Sequence, residues 1–535
     1  MKKNKVVKSV SSWFLFLGIF VALVGTAFAE GGPRYVTVDA SKAVGHIRSL
    51  QGGHWDPGPV GEPLSNNYVA LGIDMIRTHD AGGFDGNAPT GGEGDIDGVG
   101  VARIFPDLNA DPDDPASYNF APTDALIKNI RDIGAEVFFR VGRSNIVSFG
   151  GGFPFVNSYV PPDLDKYAQI VKHVVMHYNK GWANGFHYGI RYWEIWNEPD
   201  ILPFWAGTPT QYHELYMKVA RAIRSVDRHA KIGGPANTTN NDFTGLEESF
   251  LQFIVDNDLP MDFYSFHHYA NHAVDPFNNV RLAQKFRNLL DSYGFKHAEV
   301  INTEYGGALD GTPMIGGAVA SAIFTGEVQM YLQDAPVKKV AAYMGVGVPL
   351  NKTNNAFGMV STLNRTRQRL WTSGGDDTGF AVMAGRDEGE RELRVIIANY
   401  EISPLNMGPI PGGNTEVVAI PGLGVLGTWV WLDRRTIIYE NTNGYNLEIK
   451  NIPLGWGDLT VEQYRIDNDN NMALVGSWTI DKKDRKHHGK VGSVMVSGEW
   501  VHSAPNPPLD PVGVAQGMDL IVVYGEDDHH HGGCR

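Results

Sequence analysis

Eight short apolar runs of strand character, alternating with stretches of helical character, constrain this chain more than any other feature of it. The runs fall at 50–53, 75–78, 136–141, 192–197, 231–234, 261–267, 298–304 and 340–344. The helical stretches fall at 123–133, 164–179, 210–227, 247–256, 280–293 and 315–332. Within 164–179, Leu164, Tyr167, Val171, Val174, Val175 and Tyr178 share one stripe, the spacing of a helix that buries a single face. Such alternation predicts an α/β fold, a (β/α)8 TIM barrel, over 35–372. From about 376 the pattern changes. Strand candidates at 380–383, 393–400, 415–420, 428–433, 445–449, 459–466 and 520–524 are separated by Gly, Asn and Asp without a full-length helix between them. That predicts an antiparallel β-sandwich over 376–525, followed by a polar tail at 526–535.

In a TIM barrel, chemistry belongs at the C-terminal ends of the strands. The fourth run reads Tyr192-Trp193-Glu194-Ile195-Trp196-Asn197-Glu198-Pro199. Pro199 cannot donate to a ladder and biases Glu198 away from helix, so the strand stops there. A carboxyl group at a strand end between tryptophans is predicted to favour its protonated form, as a general acid requires. The seventh run ends Ile301-Asn302-Thr303-Glu304-Tyr305-Gly306, which brings Glu304 to the same face. In the sixth run, period-two alternation points Ser265, His267 and Tyr269 one way. His267 and His268 are adjacent and face opposite ways, which argues against a shared metal. Arg77 and His79 alternate inward on the second run, where Arg77 can hold Glu304 ionised or form a structural ion pair. His54 and Trp55 close the first run as candidate substrate contacts, and Trp205 offers an apolar face for substrate C–H groups.

Composition limits the partners. Apolar residues make up 42% and charged residues 20%, as in a soluble globular protein, and the net charge of −15 argues against nucleic acid or an anionic membrane. Residues 1–29 read as a cleaved secretory leader: Lys2, Lys3, Lys5 and Lys8, an apolar core, then Ala27-Phe28-Ala29. The apolar run is too short for a comfortable membrane span. With Cys534 as its only cysteine, the exported protein has no internal disulfide, and a bacterial periplasmic or secreted location is expected. His529, His530 and His531 read as part of a solvated tail rather than a metal site. The long connection at 80–121 carries Asp107, Asn109, Asp111, Asp113 and Asp114. Alternating oxygen ligands suit Ca²⁺, but Pro112 replaces the turn glycine and no Glu closes the loop, so it reads as a solvated acidic loop.

The stretch Trp196-Asn197-Glu198-Pro199-Asp200, then Phe204-Trp205, then Ile232-Gly233-Gly234-Pro235, together with the Thr303-Glu304-Tyr305-Gly306 motif, resembles glycoside hydrolase family 39, a family of retaining enzymes that includes β-xylosidases and α-L-iduronidases. The resemblance covers about 35–371. It implies that Glu198 is the acid/base, Glu304 the nucleophile and Asn197 the partner of a substrate hydroxyl. It also implies that Tyr269 hydrogen-bonds the nucleophile, that His267 lines the sugar site, and that residues 35–48 join the C-terminal β-domain. The implied function is retaining hydrolysis of a poly- or oligosaccharide, with no cofactor and a carbohydrate as partner; an oligomer is open. An inactive carbohydrate-binding barrel and a transglycosylase are the rival readings. The chain departs from the family in having Arg140 and Arg143 after the third run, and Tyr343-Met344 in the eighth where an aromatic Trp is expected. The arginines meet either a carboxylate or sulfate on the sugar, or acidic loop residues such as Asp80, Asp95 or Asp97. The net charge favours a neutral sugar.

Overall fold

A computed structural model describes residues 32–79, 104–142, 160–201, 204–238, 246–269, 275–307, 317–400, 415–420, 424–430, 442–487, 493–501 and 515–525. Strand β1 (Arg34–His46) leads into the barrel, whose strands are β2 (Gly52–His54), β3 (Met75–Arg77), β4 (Glu136–Val141), β5 (Tyr192–Ile195), β6 (Lys231–Thr238), β7 (Phe263–Tyr269), β8 (Glu299–Gly306) and β9 (Lys339–Ala342). They close in sequence order, each parallel to its neighbours. Around them lie α1 (Pro63–Ala70), α2 (Ala121–Asp132), α3 (Leu164–Lys180), α4 (Pro209–Val226), α5 (Leu246–Asp256), α6 (Asn278–Ser292), α7 (Gly317–Tyr331) and α8 (Lys352–Ser361). Local chemistry sets the ends of these helices. Asp163 accepts from the Asp165 and Lys166 amides to start α3, and Gly181 at φ 78° stops it. Thr208 and Gln211 form a capping box for α4, with Pro209 at its first position. The short α1 and α8 lack a long apolar stripe, and the sequence pattern did not predict them.

The barrel interior changes character along its axis. At the N-terminal end Met75, Phe138, Tyr192, Phe263, Ile301 and Ala341 form a closed apolar layer. Two residues further along β3, β4 and β5, the inward positions are Arg77, Arg140 and Glu194, all fully buried. Outward residues such as Ile76, Phe139, Trp193 and Phe266 pack into the core shared with the helices. The strands are therefore apolar on the helix side throughout and turn polar inside only where the site begins.

The second domain is a nine-stranded sheet in the order β17-β16-β19-β12-β11-β10-β1-β15-β18, built from β1, β10 (Gln368–Ser373), β11 (Phe380–Asp387), β12 (Glu392–Asn399), β15 (Gly444–Lys450), β16 (Leu459–Ile466), β17 (Asn471–Ile480), β18 (Val494–Glu499) and β19 (Gly517–Gly525). Strands β13 (Thr415–Ile420) and β14 (Gly424–Val430) form a separate hairpin. The sheet curls around its own core, which includes Val36, Leu393, Val395, Leu447 and Val523. On the central strands the opposite face packs on the barrel, as Met518, Leu520 and Val522 do while Ile521 and Val523 face the sheet's own core. Two details differ from the sequence reading. The sheet is mixed, because β1 runs parallel to β15 while its other neighbour, β10, is antiparallel. Residues 368–372, expected in the barrel, belong to the sheet because β10 pairs with β1. No helix among the described residues is long and apolar enough to cross a membrane, and residues 1–31, with the expected leader, lie outside them.

Candidate active site

Glu198 and Glu304 meet across the C-terminal mouth of the barrel, and irregular backbone brings each of them there. Trp196 has φ 75° and Glu198 φ 44°, left-handed values that side chains other than Gly, Asn and Asp rarely adopt. Hydrogen bonds hold this turn: Trp196 N donates to Val141 O (2.8 Å), Glu198 N to Ala236 O (3.0 Å) and Trp196 Nε1 to Phe204 O (2.9 Å). Trp196 thereby leaves the barrel for the outer core, while Asn197 and Glu198 turn inward. On β8 the register against β9 shifts between Asn302 and Tyr305. Ile301 lies in the inner layer and Tyr305 in the outer core, although strict alternation would put both inside. The irregularity reverses the order and directs Glu304 into the site, a common use of bulges beside active sites.

The two carboxylates have different partners. Glu304 accepts from Arg77 Nη1 through Oε1 (2.6 Å) and from the Tyr269 hydroxyl through Oε2 (2.5 Å), with His79 Nε2 3.6 Å from Oε1. Burial, then the Glu304 charge, pushes the Tyr269 phenol well above its usual range, so it remains a donor. Glu198 Oε1 lies 2.7 Å from His267 Nδ1. Burial, reinforced by Arg77 and His54, pushes His267 well below the usual imidazole range, so the ring is neutral at neutral pH. A neutral imidazole can accept from a protonated Glu198 or donate to an ionised one, which serves both states of an acid/base. His54 and His79 are depressed in the same way, by burial first and then by nearby arginine. Asn197 Oδ1 accepts from Arg77 Nη2 (2.7 Å), while its buried Nδ2 has no hydrogen-bond partner among the described residues. The amide is thus oriented to donate to something that enters the site.

The remaining predicted residues divide into wall and support. Trp55, Tyr343 and His54 form an aromatic cluster beside Tyr269, with ring centroids 4.7 Å apart for Trp55–Tyr343 and 5.9 Å for Tyr269–Tyr343. Trp55 sits at φ 65°, and its buried Nε1 has no hydrogen-bond partner among the described residues. His54 Nε2 is held at 3.0 Å from Thr303 O. Arg140 lies inside the barrel, opposite Glu194 in the β4–β5 register. A Cβ at Gly142 would sit 3.1 Å from both Arg140 Nη1 and Trp196 Cε3, so the glycine leaves room for the arginine beneath that ring. Arg143, Asp80, Asp95 and Asp97 lie outside the described residues. Trp205 is a correction. It is 3% exposed, packed edge-on against Trp196 and Tyr212 in the outer core, with Nε1 donating to Thr208 O. It braces the acid/base turn from behind and offers no face to a sugar.

One residue of the site was missed by the sequence reading. Glu194, fully buried, accepts from Arg77 Nε (2.6 Å). Its signal was present: a carboxylate two positions beyond Tyr192 in a strand must point into the barrel with it. Glu198, His267 and Glu304 also each present an atom within 4.8 Å of the others, a spacing that could suit a cation. Arg77 and Tyr269 already occupy Glu304, and a guanidinium hydrogen-bonded to that carboxylate opposes a second positive charge there. In the acidic loop Asp107, Asp111 and Asp114 accept from backbone amides two residues on, and Asp113 accepts from Gln169, so these carboxylates act as turn and cap acceptors.

The comparisons agree with this geometry. Residues 97–291 match the sequence profile of the glycosyl hydrolases of family 39. The chain is 31% identical over 187 residues to a β-xylosidase of Geobacillus stearothermophilus, a match covering 33% of this chain and 35% of that protein. It is 29% identical over 164 residues to a β-xylosidase of Caldicellulosiruptor saccharolyticus, covering 29% and 31%. Each match thus spans about a third of the relative's length. Among solved structures, a glucosidase from Croceicoccus marinus superposes with a TM-score of 0.73 at 27% identity, over 92% of this chain and 99% of that one. A GH39 enzyme from Xanthomonas axonopodis pv. citri gives 0.61 at 14% identity, over 93% and 98%, a likeness of fold. Over residues 97–291 the chain is thus similar to the glycosyl hydrolases of family 39.

Proposed function

We propose that the chain is a retaining glycoside hydrolase that cleaves β-linked xylosides or glucosides through a covalent glycosyl-enzyme. One observation carries the reading: carboxylate oxygens of Glu198 and Glu304 lie within 4.8 Å of each other, both beside His267 Nδ1. Retaining pairs stand about 5–5.5 Å apart and inverting pairs about 6.5–9.5 Å, because only the latter leave room for a water. A glycosidic oxygen is a poor leaving group, so Glu198 donates its proton as the C–O bond breaks. Glu304 attacks the anomeric carbon and forms the glycosyl ester. Glu198 then takes a proton from water as the hydroxide adds and Glu304 leaves. Asn197 Nδ2 donates to a sugar hydroxyl, and Trp55 and Tyr343 wall the ring. The sugar specificity follows the names of the relatives above, and the net charge of −15 supports a neutral sugar. The leader pattern at 1–29 makes it an exported enzyme, which N-terminal sequencing of the mature protein checks.

The mechanism is tested by azide rescue. Glu198→Ala should still react with aryl glycosides that have good leaving groups, and azide should restore turnover and yield a glycosyl azide of retained configuration. An inverted azide from Glu304→Ala is the matching result for the nucleophile; an inverted azide from Glu198→Ala, with a retained one from Glu304→Ala, would swap the two roles. Failure of the wild type to cleave any aryl xyloside or glucoside would overturn the function, and sugar-acceptor products in place of hydrolysis would make it a transglycosylase.

A further inference from the structure

The guanidinium of Arg77 is shared among three side chains and has no exposure to solvent. Nε donates to Glu194 Oε2, Nη1 to Glu304 Oε1 and Nη2 to Asn197 Oδ1, at 2.6, 2.6 and 2.7 Å. Two carboxylates thus divide one positive charge, and only one of them faces the substrate. The other oxygen of Glu194, Oε1, is buried and has no hydrogen-bond partner among the described residues. A carboxylate kept only to neutralise an arginine would be expected to saturate both oxygens, since an unsatisfied buried acceptor costs stability.

We propose that Glu194 is a positioning residue for the nucleophile: it draws off part of the Arg77 charge and fixes the guanidinium plane, so that Glu304 is held ionised but left reactive. The inference rests on the reading of Glu304 as the nucleophile. Two consequences follow from the geometry. Anchoring Nε to Glu194 leaves Nη1 and Nη2 only one orientation, the one that reaches Glu304 and Asn197 together. Neutralising Glu194 would leave the whole Arg77 charge to Glu304 and Asn197. The carboxylate would then be stabilised further and become a weaker nucleophile. Burial lowers the Arg77 pKa, but the charges of Glu194 and Glu304 outweigh it and hold the group above its ordinary value, so the guanidinium stays charged throughout.

The experiment is the pH dependence of kcat/KM for an activated aryl xyloside or glucoside in the full-length wild type, Glu194→Gln and Glu194→Asp. In Glu194→Gln the acidic limb is expected to move to lower pH by about half to one unit, with the plateau lowered by up to about tenfold. Glu194→Asp keeps the charge but draws it back by one methylene, so the limb should move the same way by less. If Glu194→Gln fails to fold, Glu194→Asp carries the test. An unmoved or raised acidic limb overturns the proposal, as does an equal shift in both variants, which would make the role steric. A carbon-13 NMR titration of Glu304, assigned with Glu304→Gln, reads the same coupling without substrate. A wild type inactive on every glycoside would therefore sink the functional reading yet leave this inference separately testable.

Discussion

Two buried networks in this molecule each join an arginine to carboxylate, and they are finished differently. In the sheet domain, fully buried Asp519 accepts from Arg465 Nε (2.9 Å) and Nη2 (2.8 Å), the Tyr445 hydroxyl (2.6 Å), Gln463 Nε2 (2.8 Å) and Trp500 Nε1 (3.2 Å). Both of its oxygens are satisfied, and no buried side-chain atom of the group lacks a partner among the described residues. In the barrel each nitrogen of Arg77 has a partner, but Asn197 Nδ2, Glu194 Oε1 and Trp55 Nε1 have none among the described residues. A network that serves only the fold closes on itself, because each buried unsatisfied group costs about 1–3 kcal/mol. One that serves a ligand keeps donors in reserve and carries that cost in its unliganded state.

The sharpest test of the contrast is Glu304→Gln. Glycoside hydrolysis should fall by about 10⁴-fold or more, equivalent to roughly 5 kcal/mol of transition-state stabilisation. Because Glu194 still neutralises Arg77, the unfolding midpoint should shift less than in the Asp519 variant, and a calorimetric scan decides this. Asp519→Asn should do the reverse. Leaving the half-buried Arg465 without its charge partner, and taking the charge from the Tyr445 and Gln463 hydrogen bonds, should cost about 3 kcal/mol, read from denaturant unfolding followed by tryptophan fluorescence. Its kcat/KM should stay near wild type, and an equal loss of activity would break the distinction between the two networks. Asn197→Ala should lower kcat/KM by about 10²-fold, near 3 kcal/mol, with little change in stability. A stability loss matching the activity loss would mean that the amide serves the fold after all.

Glu327 of α7 gives the smallest expected effect and a third case. It is fully buried between the barrel and the sheet, beside the Tyr400 backbone. Burial, then Asp376 and Asp275, raises its pKa well above the ordinary carboxylate value. A raised pKa contributes stability that is whole below the unfolded value, near 4.5, and is lost as pH rises toward the folded one. Glu327→Gln should therefore gain stability relative to wild type as pH rises from 5 to 8, by about 1–2 kcal/mol, in paired denaturant titrations. A constant difference across that range would show that its proton is not what the domain contact holds.

Much of this molecule could be read locally. The barrel strands lie near their expected places because a fully buried parallel strand is an uninterrupted apolar run, and helices α2 to α6 because each presents a core-facing stripe. Tyr269 and His267 follow from strict alternation along β7, and Arg77 from β3. Trp205 was misread because an aromatic residue near a site looks the same in sequence whether it faces the cavity or the core.

The sequence by itself determined the eightfold alternation, the mouth at which the carboxylates gather and the family to which they point. Side-chain period and chain-breaking residues act over a few positions, so a strand end can be read wherever it lies. Only the tertiary structure decided which way Glu304 faces, since strict alternation from Ile301 would have turned it outward and the register shift against β9 turns it in. It alone decided that Trp196 leaves the barrel at a left-handed φ, and that Glu194 shares Arg77 with the nucleophile 110 residues further along the chain. It alone set β1 parallel to β15, across the whole length of the barrel. The physical reason is common to all of these: a bulge, a strained turn and a shared guanidinium are held by neighbours distant in sequence, so their energy depends on contacts that no local pattern records.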